Sequence, residues 1–130
     1  PIHVDIKPEN VLFYQGKLSG IIDFDNSYMG PLLLDLAKSM VWFGVRNKKF
    51  YVADALQIYR GYISERKLTK AEYINLYKAI KFAFLSHIFV DYYMLGTKKT
   101  SQEYFKFIIE DLYAAFKTFT IKEKEFYELV

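Results

Sequence analysis

The stretch His3-Val4-Asp5-Ile6-Lys7-Pro8-Glu9-Asn10-Val11-Leu12-Phe13, with Ile21-Ile22-Asp23-Phe24-Asp25 following it, decides how this chain is read. Asn10-Tyr14 and Leu18-Phe24 are β-branched and aromatic enough for strands, and Gln15-Gly16-Lys17 between them reads as a tight turn. The pattern predicts a β-hairpin over residues 10–24, with Asp5 on the loop before it and Asp23 near the end of its second strand. The two ends of a hairpin meet, so Asn10 and Asp23 are expected close to Asp5. Amide and carboxylate oxygens are hard ligands, which suit Mg²⁺ bound to phosphates rather than Zn²⁺. Asp5, not needed as a ligand, is then free to act as a base.

Working outward, the pattern turns helical from Pro31. Gly30-Pro31 is a start signal that places Pro at the first helical position, and the helix is expected to run to about Gly44. A second helix is predicted over roughly 48–66, with Val52, Leu56, Tyr59 and Ile63 on one face. Thr69-Lys70-Ala71-Glu72 has the form of a capping box, and the stripe Ile74, Tyr77, Ile80, Phe84, Ile88 follows it. Thr100-Ser101-Gln102-Glu103 forms a second such box ahead of Tyr104, Ile108, Leu112, Ala115 and Phe119. A short helix is expected after Thr120. The fold class is therefore mainly α with a small β-hairpin.

Bulk properties narrow the class. The 130 residues suit one domain that buries a core without staples. Hydrophobic residues make up 52% and aromatics 19%, which excludes a disordered chain and calls for a core lined with Phe and Tyr. The absence of cysteine excludes a disulfide framework, a thiolate metal site and a cysteine nucleophile. It also fits a reducing, cytoplasmic setting. A net charge of +3, spread along the chain, gives no footprint for nucleic acid, and none is expected as a partner. The apolar run Phe82 to Val90 is too short to span a bilayer, so no membrane association is expected either. The polar loop at the start gives no expectation of a signal peptide.

The motif H-x-D-x-x-x-x-N followed by I-D-F-D resembles the catalytic and metal-binding loops of the kinase-like fold. Two branches of that fold are similar. His3 to Leu12 is close to the protein-kinase H-R-D-L-K-P-E-N loop, differing at Val4 and Ile6. The second segment departs from it, because Asp25 stands where a protein kinase has the glycine of D-F-G. Gly30-Pro31-Leu32-Leu33-Leu34-Asp35-Leu36-Ala37 instead resembles the G-P-x-x-x-D-L-A of aminoglycoside phosphotransferases, choline kinases and bacterial homoserine kinases. Residues 2–44 carry the resemblance. Residues 50–66 with Thr69–Glu72 bear some likeness to the helical tail of homoserine kinases, on which no substrate rests.

That resemblance implies the C-terminal lobe of a protein-kinase-like α+β fold. No Gly-rich loop or strand lysine is present, so the N-terminal lobe is absent from the chain and expected upstream of Pro1. It implies one lobe over 1–130: a catalytic loop and metal-binding hairpin in 1–30, and a helical, substrate-side subdomain in 31–130. ATP and Mg²⁺ are the implied cofactors and a small-molecule alcohol the implied partner. By match to the motif, Asp5 is the catalytic aspartate, and Asn10 and Asp23 hold the metal and its nucleotide. Lys7 matches a lysine that contacts the γ-phosphate. Asp25 is a candidate ligand of a second Mg²⁺ or a loop cap, Asp35 a brace for the catalytic loop, and His3 a structural group. The alternatives are a non-catalytic lobe kept as a binding module, and a protein-kinase relative.

The remaining polar groups have plainer readings. His87 is expected as a satisfied core or edge histidine, and Trp42 and Phe43 as core. Asp91 with Tyr92-Tyr93 could build an aromatic, acidic pocket for a cation, against the favoured reading of helix-end packing. Lys48-Lys49, Lys98-Lys99, Glu110 and Asp111 read as solvated charges.

Overall fold

In a computed structural model that describes residues 1–97, 101–119 and 121–130, the hairpin forms where the strand signals place it. Strand β1 (Val11–Tyr14) pairs antiparallel with β2 (Lys17–Ile21), Val11 opposite Ile21 and Tyr14 opposite Lys17. Gln15 and Gly16 both take positive φ, 49° and 76°, the twist that a two-residue hairpin turn requires. Both strands are shorter than expected. Asn10 belongs to a 3₁₀ turn over Pro8–Asn10, and β2 stops at Ile21. Asp23 lies beyond the strand with φ of 67°, a left-handed backbone that cannot continue a ladder.

Helix α1 (Leu32–Gly44) begins one residue later than expected. Pro31 is its N-cap, with an extended ψ of 128°, rather than its first helical residue. Gly30 allows the entry: a Cβ there would lie 2.6 Å from Ile2 and 2.7 Å from Tyr28, which clamp the chain start through an Ile2–Tyr28 bridge.

The second helix does not begin at 48. Residues 45–50 form a small hairpin, β3 (Val45–Arg46) and β4 (Lys49–Phe50), turned by Asn47 and Lys48 at φ of 50° and 62°. It drives the Phe50 ring under Gly44, where a Cβ would sit 2.5 Å from Phe50 Cε2. Helix α2 (Val52–Glu65) follows.

The long helix α3 (Lys70–Gly96) opens on the expected capping box. Glu72 N donates to Thr69 Oγ1 at 3.2 Å, and Thr69 N to Glu72 Oε2 at 2.8 Å. Arg66 adds a two-pronged contact to the same carboxylate at 2.9 and 3.0 Å. Helix α4 (Gln102–Ile108) runs through a π turn at Ile109–Tyr113 into α5 (Ala114–Thr118). Ser101 caps α4; Thr100, the first residue of the expected second box, lies outside the described residues, as do Lys98 and Lys99. A terminal helix α6 (Glu123–Leu129) forms after position 120.

The core lies among α1, α2, α3 and the π turn with α5. Tyr77, Ile80 and Phe84 of the α3 stripe are buried, with Leu76, and Ile88 is partly so. Ile74 is 53% exposed instead, because at ~100° per residue it falls on the flank of the 76–80–84 line. In α2, Leu56 and Tyr59 are buried and Val52 and Ile63 half-buried. Ile108, Leu112, Ala115 and Phe119 are buried as expected, but Tyr104 is exposed and belongs to the site described below. The aromatic content concentrates here. Phe84 meets Phe50 at 5.3 Å, Phe116 at 5.5 Å and Phe119 at 6.1 Å between centroids, and Phe119 meets Phe50 at 5.0 Å and Tyr77 at 5.4 Å. Among the described residues no helix is long and apolar enough to cross a membrane.

Phe84→Ala removes the hub of this ring cluster and is expected to cost about 3–5 kcal/mol in urea unfolding. Thr69→Ala, which removes half the capping box, is expected to cost about 1 kcal/mol in the same measurement. Equal small effects of the two would mean that the ring cluster does not hold α3 in place.

Candidate active site

The loop before the hairpin is held in a backbone shape that its sequence does not favour. Val4, a β-branched residue, has φ of 73°. What holds it is the carboxylate of Asp35, in the first turn of α1: His3 N donates to Asp35 Oδ2 at 2.8 Å and Val4 N to Oδ1 at 2.6 Å. His3 ties the same loop to the hairpin. Asp5 N donates to His3 Nδ1 at 3.3 Å, which leaves Nε2 as the ring donor to Ile22 O at 3.0 Å. Phe24 packs on the His3 ring at 4.4 Å. Ile22 N also donates to Asn10 O at 3.0 Å, so the loop around Asp23 is latched to both His3 and Asn10.

These latches bring three expected residues together. Asn10 Nδ2 donates to Asp5 O at 2.9 Å and Asp5 Oδ2 at 3.2 Å, and lies 3.5 Å from Asp23 Oδ2. Its Oδ1 accepts no hydrogen bond among the described residues and is left for a ligand. Lys7 joins them, its ammonium 2.8 Å from Asp5 Oδ2 and 5.7 Å from the centre of the Trp42 ring. Burial alone would lower the Lys7 pKa, but the hydrogen bond and charge of Asp5 outweigh it and the net shift is upward. Asp5 and Asn10 are buried; Asp23 and Asp25 are exposed. Asp25 sits in the turn after Asp23 and makes no hydrogen bond or ion pair with the group among the described residues.

The chemistry of the donors fits Mg²⁺. The amide oxygen of Asn10 and the carboxylate of Asp23 are hard donors, and the two side chains meet, with Asn10 Nδ2 3.5 Å from Asp23 Oδ2. Among the described residues no cluster of three or more His, Asp or Glu is built to hold a metal alone. Mg²⁺ suits such a place, because it keeps water and substrate phosphates in its shell and asks the protein for one or two ligands.

Asp5, Lys7 and Asp23 open onto a cleft of about 490 Å³ whose far wall was not legible as a site. Lys38 of α1, His87 and Asp91 of α3, and Tyr104 of α4 line it, with Val90 and Met94 as its apolar part. Lys38 was findable in principle: it stands three residues after Asp35, on the face of α1 that meets the catalytic loop. Burial lowers its pKa, against the opposing charges of Asp5, Asp35 and Asp91. Burial also raises the Tyr104 phenol, with Asp91 adding to it.

His87 is not the satisfied histidine expected. Its Nε2 lies 3.1 Å from Asp91 Oδ2, yet the two do not align as a hydrogen bond and neither buried atom has another partner among the described residues. Burial drives both toward their neutral forms. Burial, reinforced by Lys38, lowers His87 to about 4, and burial raises Asp91 to about 6. Trp42 stacks edge-on against His87 at 4.6 Å and is half-buried, a wall of the site as much as core; Phe43 is likewise half-buried. The Asp91–Tyr92–Tyr93 pocket does not form. Asp91 points inward while Tyr92 and Tyr93 are 64% and 61% exposed beside Leu85 and Phe89. Lys48 and Glu110, expected as separate solvated charges, form an exposed ion pair at 3.1 Å.

The profile of the phosphotransferase enzyme family matches residues 1–68, over half of the chain. The chain belongs to that family. Over 72 residues it is 40% identical to a homoserine kinase of Gluconobacter oxydans, a match covering 55% of this chain and 23% of that enzyme. Homoserine kinases of Granulibacter bethesdensis and Rhodopseudomonas palustris match over the same length at 35% and 39% identity, covering 23% and 22% of their lengths. The matched stretch is thus under a quarter of these relatives. No solved structure matches the chain significantly.

Two outcomes test this geometry. Asp35→Ala frees two backbone donors from a charged acceptor and is expected to cost about 1.5–3 kcal/mol. In that background Val4→Gly, which relaxes the left-handed residue, should restore part of the loss in urea melts. For Asp91, the folded pKa stands above the unfolded one. Its ionisation therefore costs stability above about pH 6, and the cost fades as pH falls toward 3.8. Asp91→Asn should raise Tm at pH 8 and lose that advantage by pH 4; an advantage constant across the range would show that Asp91 does not titrate as described.

Proposed function

We propose that this chain is the acceptor-side, C-terminal lobe of an ATP-dependent phosphotransferase that acts on the hydroxyl of a small molecule. Homoserine is the acceptor its relatives' names bring forward. The observation that carries the reading is the convergence of Asp5, Asn10 and Asp23, of which Asp5 and Asp23 line one mouth of a cleft. In this reading residues 1–30 supply the phosphate chemistry and residues 31–130 the acceptor wall, in the reducing cytoplasm that the cysteine-free composition suits.

Asp5 orients the acceptor hydroxyl and takes its proton as the oxygen bonds to the γ-phosphorus and the bond to the bridging oxygen of ADP breaks. Asn10 and the Asp23 carboxylate would hold Mg²⁺, with Asp25 as a candidate ligand of a second ion. Bound there, Mg²⁺ would supply neutralisation of the phosphate charge, which matters because the transition state is loose and the barrier falls mainly through positioning and charge. Lys7, fixed between Asp5 and Trp42, places its charge where a γ-phosphate oxygen would arrive. His3 and Asp35 position the loop without touching substrate.

The nucleotide itself is gripped by a further lobe in this reading. The hairpin and the segment after it support this: Phe13, Leu18, Phe24 and Met29 are 66, 60, 59 and 81% exposed, an apolar surface that a second lobe of the same protein would cover.

The test uses the full-length protein carrying this lobe. With Mg-ATP and L-homoserine, Asp23→Ala is expected to abolish turnover. Asp5→Asn should lower kcat by about 10²–10⁴ while leaving nucleotide Kd near wild type. Turnover at the wild-type level in either variant overturns the assignment, and phosphorylation of a protein but of no small alcohol would favour a protein-kinase relative.

A further inference from the structure

The facing pair His87 and Asp91 needs a third group. A neutral imidazole has one nitrogen that donates and one that accepts. If Nε2 carried the proton it would donate to Asp91 Oδ2, only 3.1 Å away, but the alignment for that bond is missing and both atoms are buried without a partner among the described residues. The arrangement is that of two acceptors side by side. Asp91 is only 6% exposed, and a buried unpaired acceptor is costly unless a donor reaches it. One ammonium group, with three N–H donors, can bridge two acceptors at this spacing. Lys38 does not supply it, since its ammonium makes no hydrogen bond or ion pair among the described residues. Lys38 instead stands on the same cleft as a partly desolvated cation.

We propose that the His87–Asp91 pair and Lys38 form the two poles of an acceptor subsite for a small zwitterionic hydroxy-amino acid. The ligand's ammonium bridges His87 Nε2 and Asp91 Oδ2, and its carboxylate pairs with Lys38. The hydroxyl then extends toward Asp5 on the opposite wall, and Val90 and Met94 line the apolar space between. Tyr104 closes the rim. The subsite rests on the phosphotransferase reading for its orientation, but binding at the two poles does not require nucleotide.

The experiment is calorimetric titration of the full-length protein, without nucleotide, with three ligands. They are L-homoserine, 4-hydroxybutyrate (no ammonium) and 3-aminopropan-1-ol (no carboxylate). Wild type should bind homoserine about tenfold or more tightly than either truncated ligand. Asp91→Asn should reduce homoserine to the level of 4-hydroxybutyrate and leave 4-hydroxybutyrate itself unchanged. Lys38→Met should reduce homoserine to the level of 3-aminopropan-1-ol. His87→Phe, which removes one of the two acceptors, serves as a second variant at the ammonium pole and should shift homoserine in the same direction as Asp91→Asn. Equal wild-type binding of all three ligands, or undiminished discrimination in Asp91→Asn, overturns the subsite. A parallel assay with Mg-ATP separates the two claims. Discriminating binding without phosphotransfer keeps the subsite and removes the kinase reading. Phosphotransfer to 4-hydroxybutyrate as readily as to homoserine does the reverse.

Discussion

The site depends on one carboxylate. Asp35 accepts from two successive backbone amides, His3 and Val4, and so holds a valine in a left-handed conformation that costs of order 1–3 kcal/mol. Two charge-assisted hydrogen bonds are of the right size to offset it. With Val4 turned, His3 reaches Ile22 O and Asp5 faces Asn10 instead of continuing an extended chain. Because Asp35 lies in the first turn of α1, the loop is referenced to the most buried helix of the core, the one carrying Leu36, Ala37 and Met40. The loop is therefore placed by the fold rather than by its own preferences.

Charge around the cleft is arranged in alternation. Lys7 sits on Asp5, Asp23 stands beside Asn10, Lys38 follows on α1, and Asp91 with His87 closes the wall. Net charge there stays small, which limits the desolvation cost of gathering so many ionisable groups. The groups differ in how far they are satisfied. Lys7 and Asp5 complete each other. His87 Nε2 and Asp91 Oδ2 have no partner among the described residues, and burial moves them and Lys38 toward neutrality. Under the proposed function, the satisfied half lies where phosphates come and go and the unsatisfied half where a polar acceptor would bind.

Much of this was legible in the chain, for identifiable reasons. The hairpin, the α1 helix and the capping box at Thr69 follow from local signals a few residues long, and the motif spacing pointed to the gathering of Asp5, Asn10 and Asp23, although the long-range latches from Asp35 and His3 complete it. The 45–50 hairpin was not, since Val45-Arg46-Asn47-Lys48 lacks a glycine and its turn uses two non-glycine residues at positive φ. The length of β2 was over-read because Ile22 and Phe24 carry strand propensity, whereas the backbone at Asp23 turns left-handed under the latches from His3 and Asn10. The far wall was illegible for another reason. His87 and Asp91 look like polar residues in an apolar helix, and only the packing of α3 against α1 shows which face they share with Lys38. Tyr104 looked like a core residue because it fits the stripe of Ile108 and Leu112, yet its side chain falls at the rim.

The division of α3 shows how such a site can be both rigid and open to change. Its first half, with Leu76, Tyr77, Ile80 and Phe84, is locked into the ring cluster and fixes the helix axis. Its second half leaves the core: only Asp91 among residues 85–96 is buried, while Leu85, Phe89, Tyr92 and Tyr93 are exposed. His87 and Asp91 are thus carried on a helix whose direction is set elsewhere, one turn apart on one face. Among the described residues their one aromatic partner is Trp42 of α1, which meets His87 edge-on, so the ring cluster that fixes α3 does not rest on them. The loop of residues 3–10 has no such freedom, since Asp35, His3 and Asn10 each hold more than one partner. The constrained end and the adjustable end of the cleft therefore rest on different elements, joined through the packing of α1 on α3.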